Sequence, residues 1–516
     1  MTEVSTLKAQ PSWQRRLLLY LLVLVGFTLL VSALDAKSLW VDELATAVTV
    51  TEESPPAVLK RAIEGERRPP LYYLLLHYWT ALAGSQDFAL RYPSLFFGLL
   101  SLALVHRLGQ RWGGGWMGTL AAYFLAISPF FILYSRMARS YSLTASLGLL
   151  SCLYFLLLLE KRRRIYWAGY LATSALLLYT DYVALPVLAG QNLFWLLWGR
   201  RQGPSARSWI GGQLALAISF VPWLPIVFSQ TARDLTTADL ATSPQGLLLK
   251  TAYPFYSFSV GETIFPWQPL AVVGAAAILF LSVVGAIHMA RRDGGRLALF
   301  LIALPLLFIV FITSSFATDI TFLNIPSRAI VAAPFFYLLA AAGFLALPRL
   351  WRGRWRYVLL VAITLASGYS LLNYYRNQQF HNPIYAVPAR EIAQWVAADS
   401  QTEDVVISPW DSAFPYYYHS PPARARHFFS EDSQSAMAYI REHRSPRVWL
   451  ITLGRDRTRY EEPTELVTWL DKEYRLELQK GYVEQDALYR RFKELLLHRP
   501  AYQYKVTVQR YVRPAS

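Results

Sequence analysis

The sequence predicts a mainly α-helical membrane protein with about eleven transmembrane helices, followed by a small extracytoplasmic α/β domain. Three observations predict it. Hydrophobic residues make up 54% of the 516-residue chain and charged residues only 16%, below the ~25% of soluble domains. The charge is also uneven: residues 376–516 hold 38 of the 84 charged side chains. Finally, basic residues recur at every second turn between the apolar runs. The low charge excludes a disordered chain and argues against one large soluble enzyme. The single cysteine, Cys152, excludes an internal disulfide framework and a cysteine-based metal cluster.

The elements follow from runs of about 20 apolar residues, the length that crosses a bilayer core. The first run, 17–34, has no clear cleavage site before Trp40 and is expected to be an uncleaved span. Further spans are expected at 89–106, 116–134, 141–159, 165–180, 182–198, 209–228, 268–290, 297–316, 329–347 and 357–375. Segment 69–84 is apolar but short, starts with two prolines and carries His77, so it is expected to be interfacial or re-entrant. From 376 onward helix and strand signals alternate. Residues 387–399, 435–444 and 466–474 have helical periodicity, whereas 404–409, 447–453 and 502–512 are strand-like. The expected division is therefore a membrane domain over 1–375, with its site in the outer loops, and an α/β domain over 376–516.

Charge fixes the expected orientation. With the N-terminus inside, the cytoplasmic segments hold 19 basic and 3 acidic residues, and the outer loops of the membrane part hold 11 and 13. This places the N-terminus in the cytoplasm and the C-terminal domain outside a plasma or inner membrane. The net charge of +16 thus reports topology and excludes a nucleic-acid partner.

The polar groups of interest gather on the outer side. Loop one holds Asp42 and Glu43, then Glu66, Arg67, Arg68, Pro69 and Pro70, with Tyr72 just beyond. The next outer turn holds Tyr134, Arg136, Met137, Arg139 and Tyr141, a third holds Asp181 and Tyr182, and a late one holds Arg328. A carboxylate can take the proton of an acceptor hydroxyl. Arginines bind phosphate bidentately and stabilise it as a leaving group. The combination suits an anionic lipid-linked substrate. Each group has a plainer reading: a solvated helix start for Asp42 and Glu43, lipid anchors for the arginines, interfacial packing for the tyrosines. Asp181 differs, because an ionised group between two apolar runs is costly unless paired or used.

The ordered set resembles the GT-C integral-membrane glycosyltransferases, in particular the protein O-mannosyltransferase and lipid A aminoarabinose transferase superfamily. The matching pieces are Asp42–Glu43 after the first span, Arg68-Pro69-Pro70-Leu71-Tyr72-Tyr73, FALRYPSLFFGLL at 88–100, the stretch at 134–143, TDYVAL at 180–185 and PSRAIVAAP at 326–334. The resemblance implies a polyprenyl-phosphate sugar donor and inverting transfer to a lipid, polysaccharide or protein acceptor outside the membrane. It implies Asp42 as base, supported by Glu43, and Arg68, Arg139 and Arg328 on the donor phosphate. Many bacterial members have His at the position of Arg68, Glu at Met137 and His at Asp181. Asp181 is then either a substitute carboxylate or a partner for Arg139. Some members use a divalent metal; this sequence offers no clear ligand set, so no cofactor is assigned and a divalent metal stays open. Two other classes compete: an inactive partner subunit of such an enzyme, and a flippase or transporter of lipid-linked sugars. A transporter would place ionisable groups in mid-membrane, whereas here they concentrate in loops.

Overall fold

The computed structural model describes residues 13–66, 68–182, 185–199, 203–229, 244–291, 325–350, 354–408, 413–418, 425–429, 432–453, 464–497 and 504–514. The chain divides into two compact units: Met1–Leu34 with Thr46–Arg376, and Asp35–Ala45 with Asn377–Ser516.

The first unit is helical. Among the described residues, seven helices are long and apolar enough to cross a membrane: Trp13–Val31, Asp87–Gly113, Tyr141–Lys161, Ala206–Ser229, Pro269–Arg291, Ile330–Leu347 and Trp355–Tyr375. Each coincides with an expected span. The span expected at 116–134 is a pair, Gly115–Ala126 and Pro129–Ser135, bent by 65°. Proline has no N–H to continue the ladder, and the Ser128 hydroxyl caps the new helix by accepting the Phe131 N–H at 3.1 Å. The spans expected at 165–180 and 182–198 correspond to the shorter helices Arg164–Leu178 and Leu185–Phe194, the latter continued by a π-helical turn. The span expected at 297–316 lies outside the described residues.

Segment 69–84 forms the helix Leu71–Ala83, 13 residues long. At 1.5 Å per residue it reaches about 20 Å, short of the ~30 Å hydrocarbon core. His77 Nδ1 lies 2.8 Å from the Val50 carbonyl, the bond of a satisfied histidine.

Burial separates the centre of the bundle from its edge. The helix window in Ile330–Leu347 is 94% buried, against 17% for Trp13–Val31. The buried helix meets Pro269–Arg291 through Gly285 and Gly343. A Cβ on Gly285 would overlap the Leu339 carbonyl, and one on Gly343 the Leu281 carbonyl. Small residues let two backbones touch in this way where no hydrophobic effect drives helices together.

The second unit is built on a five-stranded sheet. Its strands are β1 (Val405–Ser408), β2 (Arg426–Phe429), β3 (Arg447–Leu453), β4 (Arg475–Glu484) and β5 (Lys505–Val512), in the order β2-β1-β3-β5-β4. β1 pairs in parallel with β2 and β3, and β5 pairs antiparallel with β3 and β4. Val405, Ile407, Val448 and Leu450 form a core with Met437 and Ile440 of helix Ser433–His443 and Leu466 and Leu470 of helix Thr464–Glu473. Trp449 instead meets Trp395 of helix Ala389–Asp399 edge-on at 5.5 Å. Residues 35–45 join this unit through side chains: the Leu39 N–H donates to the Tyr417 hydroxyl at 2.8 Å, and the Arg390 N–H to the Ser38 hydroxyl at 2.9 Å. Trp40 stacks edge-on against Tyr385 at 4.9 Å.

Candidate functional site

In the first unit, two arginines and two carboxylates from distant segments are paired. The entry to helix Leu71–Ala83 is pinned first: the Leu71 N–H donates to the Tyr179 carbonyl at 3.0 Å. This bond gives a partner to one of the N–H groups that every helix start leaves open. It also aligns the residues on either side, so that Arg68 Nη1 lies 3.5 Å from Asp181 Oδ2. Arg139 takes the other carboxylate. Its Nη1 donates to Glu66 Oε2 at 2.7 Å and to the Thr46 hydroxyl at 2.8 Å. Both side chains of the Arg139–Glu66 pair are nearly inaccessible, 5% and 6% exposed. The sequence left Asp181 open as a substitute carboxylate or a partner for Arg139; the structure sets its carboxylate beside Arg68.

The surrounding bonds explain how the turn at 136–140 is held. Ser94 donates to the Arg139 carbonyl at 3.1 Å, bonds the Tyr72 hydroxyl at 2.9 Å and accepts through its own carbonyl from Ser142 at 2.7 Å. Tyr73 donates to Glu66 Oε2 at 3.0 Å. Burial raises the Tyr73 phenol above its ordinary range and Glu66 adds to the shift, while Arg139 opposes it, so Tyr73 remains a proton donor.

Tyr134 leads to a further carboxylate. The bend at Pro129 directs it to Glu262, whose Oε1 and Oε2 lie 3.1 and 2.9 Å from the Tyr134 hydroxyl. Glu262 follows Gly261, which ends helix Pro244–Val260 with φ +85° and donates its N–H to the Ser257 carbonyl at 2.8 Å. This is a left-handed helix stop that favours glycine. Burial raises the Glu262 carboxyl to about 8, with the Tyr134 hydrogen bond opposing the shift. Tyr134 also meets Tyr141 edge-on at 5.3 Å.

The remaining sequence-predicted residues are placed elsewhere. Arg136 is buried, and its guanidinium donates to the Leu29, Ser32 and Ala33 carbonyls at 2.9, 2.6 and 2.8 Å. It thereby closes the C-terminal end of helix Trp13–Val31, where carbonyls lack partners. The Tyr182 hydroxyl accepts the Trp223 indole N–H at 2.5 Å within an apolar cluster. Arg328 ends the short turn Ile325–Arg328 and is exposed. Arg67 lies outside the described residues. Asp42 and Glu43 belong to the second unit, in the first turn of helix Val41–Val50. Glu43 Oε2 accepts the Trp40 N–H at 3.3 Å, the reciprocal half of a capping box.

Ser94, Thr46 and Glu262 are polar residues of this network that the sequence did not single out, and Glu66, though named in loop one, was given no role there. Glu262 carries the same signal as Asp181, an acid between apolar helices. Among the described residues, no group of three or more His, Cys, Asp or Glu could hold a metal ion.

Residues 67–226 match the model of the dolichyl-phosphate-mannose-protein mannosyltransferase family. The fold is similar to that of ArnT from Cupriavidus metallidurans bound to undecaprenyl phosphate, with 13% identity over 96% of this chain and 97% of that one, at a TM-score of 0.51. The chain shares the fold of that membrane protein. A second solved example is the Archaeoglobus fulgidus oligosaccharyltransferase tethered to an acceptor peptide containing the NVT sequon. It is 12% identical, covering 86% of this chain and 69% of that one, at a TM-score of 0.50. Comparison with curated protein sequences gave no match. The family-model match contains Arg68, Arg139 and Asp181, so the paired arginines lie in its most family-like stretch.

Proposed function

We propose that this protein is a membrane glycosyltransferase that moves a sugar from a polyprenyl-phosphate donor to an acceptor hydroxyl on the outer face of the membrane, with inversion. The acceptor is a lipid, polysaccharide or protein. The observation that carries this reading is that two arginines of the stretch matching the family model, Arg68 and Arg139, are each held at a carboxylate. Arg68 is the more available of the two. Its side chain is 20% exposed and its contact with Asp181 is long, so a phosphate can displace it.

In the proposed reaction Asp42 accepts the proton of the acceptor hydroxyl as its oxygen attacks the anomeric carbon. The bond from that carbon to the phosphate oxygen breaks, and its electron pair leaves with the polyprenyl phosphate. Arg68 and Arg139 stabilise the charge that builds on the leaving phosphate. Arg328 is a third candidate for that role. Glu43, bound to the Trp40 N–H, holds the helix start that presents Asp42 and acts as a positioning residue. No step is assigned to a metal. In this reading the N-terminus is cytoplasmic and the second unit extracytoplasmic, in keeping with the charge of the loops.

The test is transfer by the purified protein from polyprenyl-phosphate sugars. Asp42→Asn is expected to abolish transfer and keep the wild-type melting temperature. Full activity in that variant would remove Asp42 as the base.

A further inference from the structure

Glu66 uses only half of its carboxylate in the network described above. Oε2 accepts from Arg139 at 2.7 Å and from Tyr73 at 3.0 Å. Oε1 is buried and, among the described residues, has no hydrogen-bond partner. The side chain is 6% exposed, so bulk water does not serve Oε1 freely. Buried carboxylate oxygens without a donor are rare and costly. Burial, together with Arg139 and Tyr73 on the other oxygen, keeps Oε1 in place as a fixed acceptor.

We propose that Glu66 is a sugar-recognition residue, its Oε1 accepting a hydrogen bond from a hydroxyl or amino group of the sugar being transferred. This rests on the donor reading given under Proposed function. The location follows from the chemistry of that donor. Its sugar hangs directly from the phosphate, so the ring's polar groups lie within one ring width of whatever guanidinium binds the phosphate. Glu66 is bonded to one such guanidinium. Oε2 therefore orients the phosphate-binding arginine, and Oε1 reads the ring attached to that phosphate. A site built to hydrogen-bond a particular group discriminates strongly against a ligand lacking it.

The experiment compares binding of bare undecaprenyl phosphate with binding of a panel of undecaprenyl-phosphate hexoses and pentoses, using the full-length protein in detergent. Wild type is expected to bind at least one sugar-loaded lipid more tightly than the bare one. Glu66→Gln, and Glu66→Asp, which keeps a charge beside Arg139 but draws the carboxylate back, are expected to lose about tenfold or more of that sugar increment. Any loss that acts through Arg139 falls equally on both lipids, so the readout is the ratio of sugar-loaded to bare affinity. Tyr73→Phe, which touches only Oε2, should retain the increment. An equal loss for bare and sugar-loaded lipid would overturn the inference, since Glu66 would then act only through Arg139. Unchanged binding in both Glu66 variants would overturn it too. Failure of wild type to bind either lipid would instead overturn the donor reading, and this inference with it.

Discussion

The Arg68 guanidinium stands 3.5 Å from the Asp181 carboxylate, across 113 residues of sequence. The contact is long and partly open on the arginine side, so it adds little to stability and leaves Arg68 free to exchange partners. Arg68→Ala is therefore expected to weaken binding of undecaprenyl phosphate about tenfold or more while shifting the folding free energy by less than ~1 kcal/mol. Lipid titration and thermal melting of the purified protein measure the two effects separately.

Arg139 should behave in the opposite way. Its pair with Glu66 is short and closed on both sides. Arg139→Ala would strand a buried carboxylate, a change that costs about 3–5 kcal/mol. A melting temperature well below that of Arg68→Ala is the expected result, and equal melting of the two variants would contradict it.

Arg136 separates packing from binding. Its guanidinium is occupied by three carbonyls at the end of helix Trp13–Val31. Arg136→Gln should lower the melting temperature and leave undecaprenyl phosphate affinity within about twofold, since hydrogen bonds from charged groups contribute ~1.5–3 kcal/mol each to stability. A selective loss of lipid affinity would instead make Arg136 a phosphate ligand.

Glu262 predicts a pH dependence with a definite sign. Burial raises its carboxyl from an ordinary 4.5 to about 8, so between those values the folded protein holds a proton that the unfolded chain has released. Its contribution is fully present below about pH 4.5 and is lost as the pH rises through about 8. Melting of wild type at pH 5 and pH 9 should differ more than that of Glu262→Gln, whose amide keeps an acceptor for Tyr134. Parallel curves for the two proteins would contradict the shift.

Much of the membrane unit was legible because lipid demands long uniform apolar runs. Helices Asp87–Gly113 and Pro269–Arg291 each contain an apolar window of 18 residues. The bend at Ser128–Pro129 was not separated from its span, because apolar composition continues through it. In the second unit β1, β3 and β5 were legible as apolar or β-branched runs. β4 was not: it lies at the sheet edge with most residues exposed, and Lys480 and Gly481 interrupt the alternation of Leu476, Leu478 and Tyr482. The site was legible in its residue types and not in its pairing. Arg139 and Glu66 are 73 residues apart, Tyr134 and Glu262 128 apart, and no local pattern encodes such partners. Asp181 was recognised from its cost in an apolar setting, and its actual partner depended on the Leu71–Tyr179 bond.

The chain enters the second unit twice, first for eleven residues at Asp35–Ala45 and again from Asn377 onward. A deletion after residue 376 would therefore not yield a trimmed but intact membrane unit. It would strip Leu39, Ser38 and Trp40 of Tyr417, Arg390 and Tyr385, and with them the footing of the helix that carries Asp42. The tail and the first loop form one exchangeable cassette. Chimeras with proteins of the same fold will fold only when the short N-terminal insert travels together with the C-terminal domain.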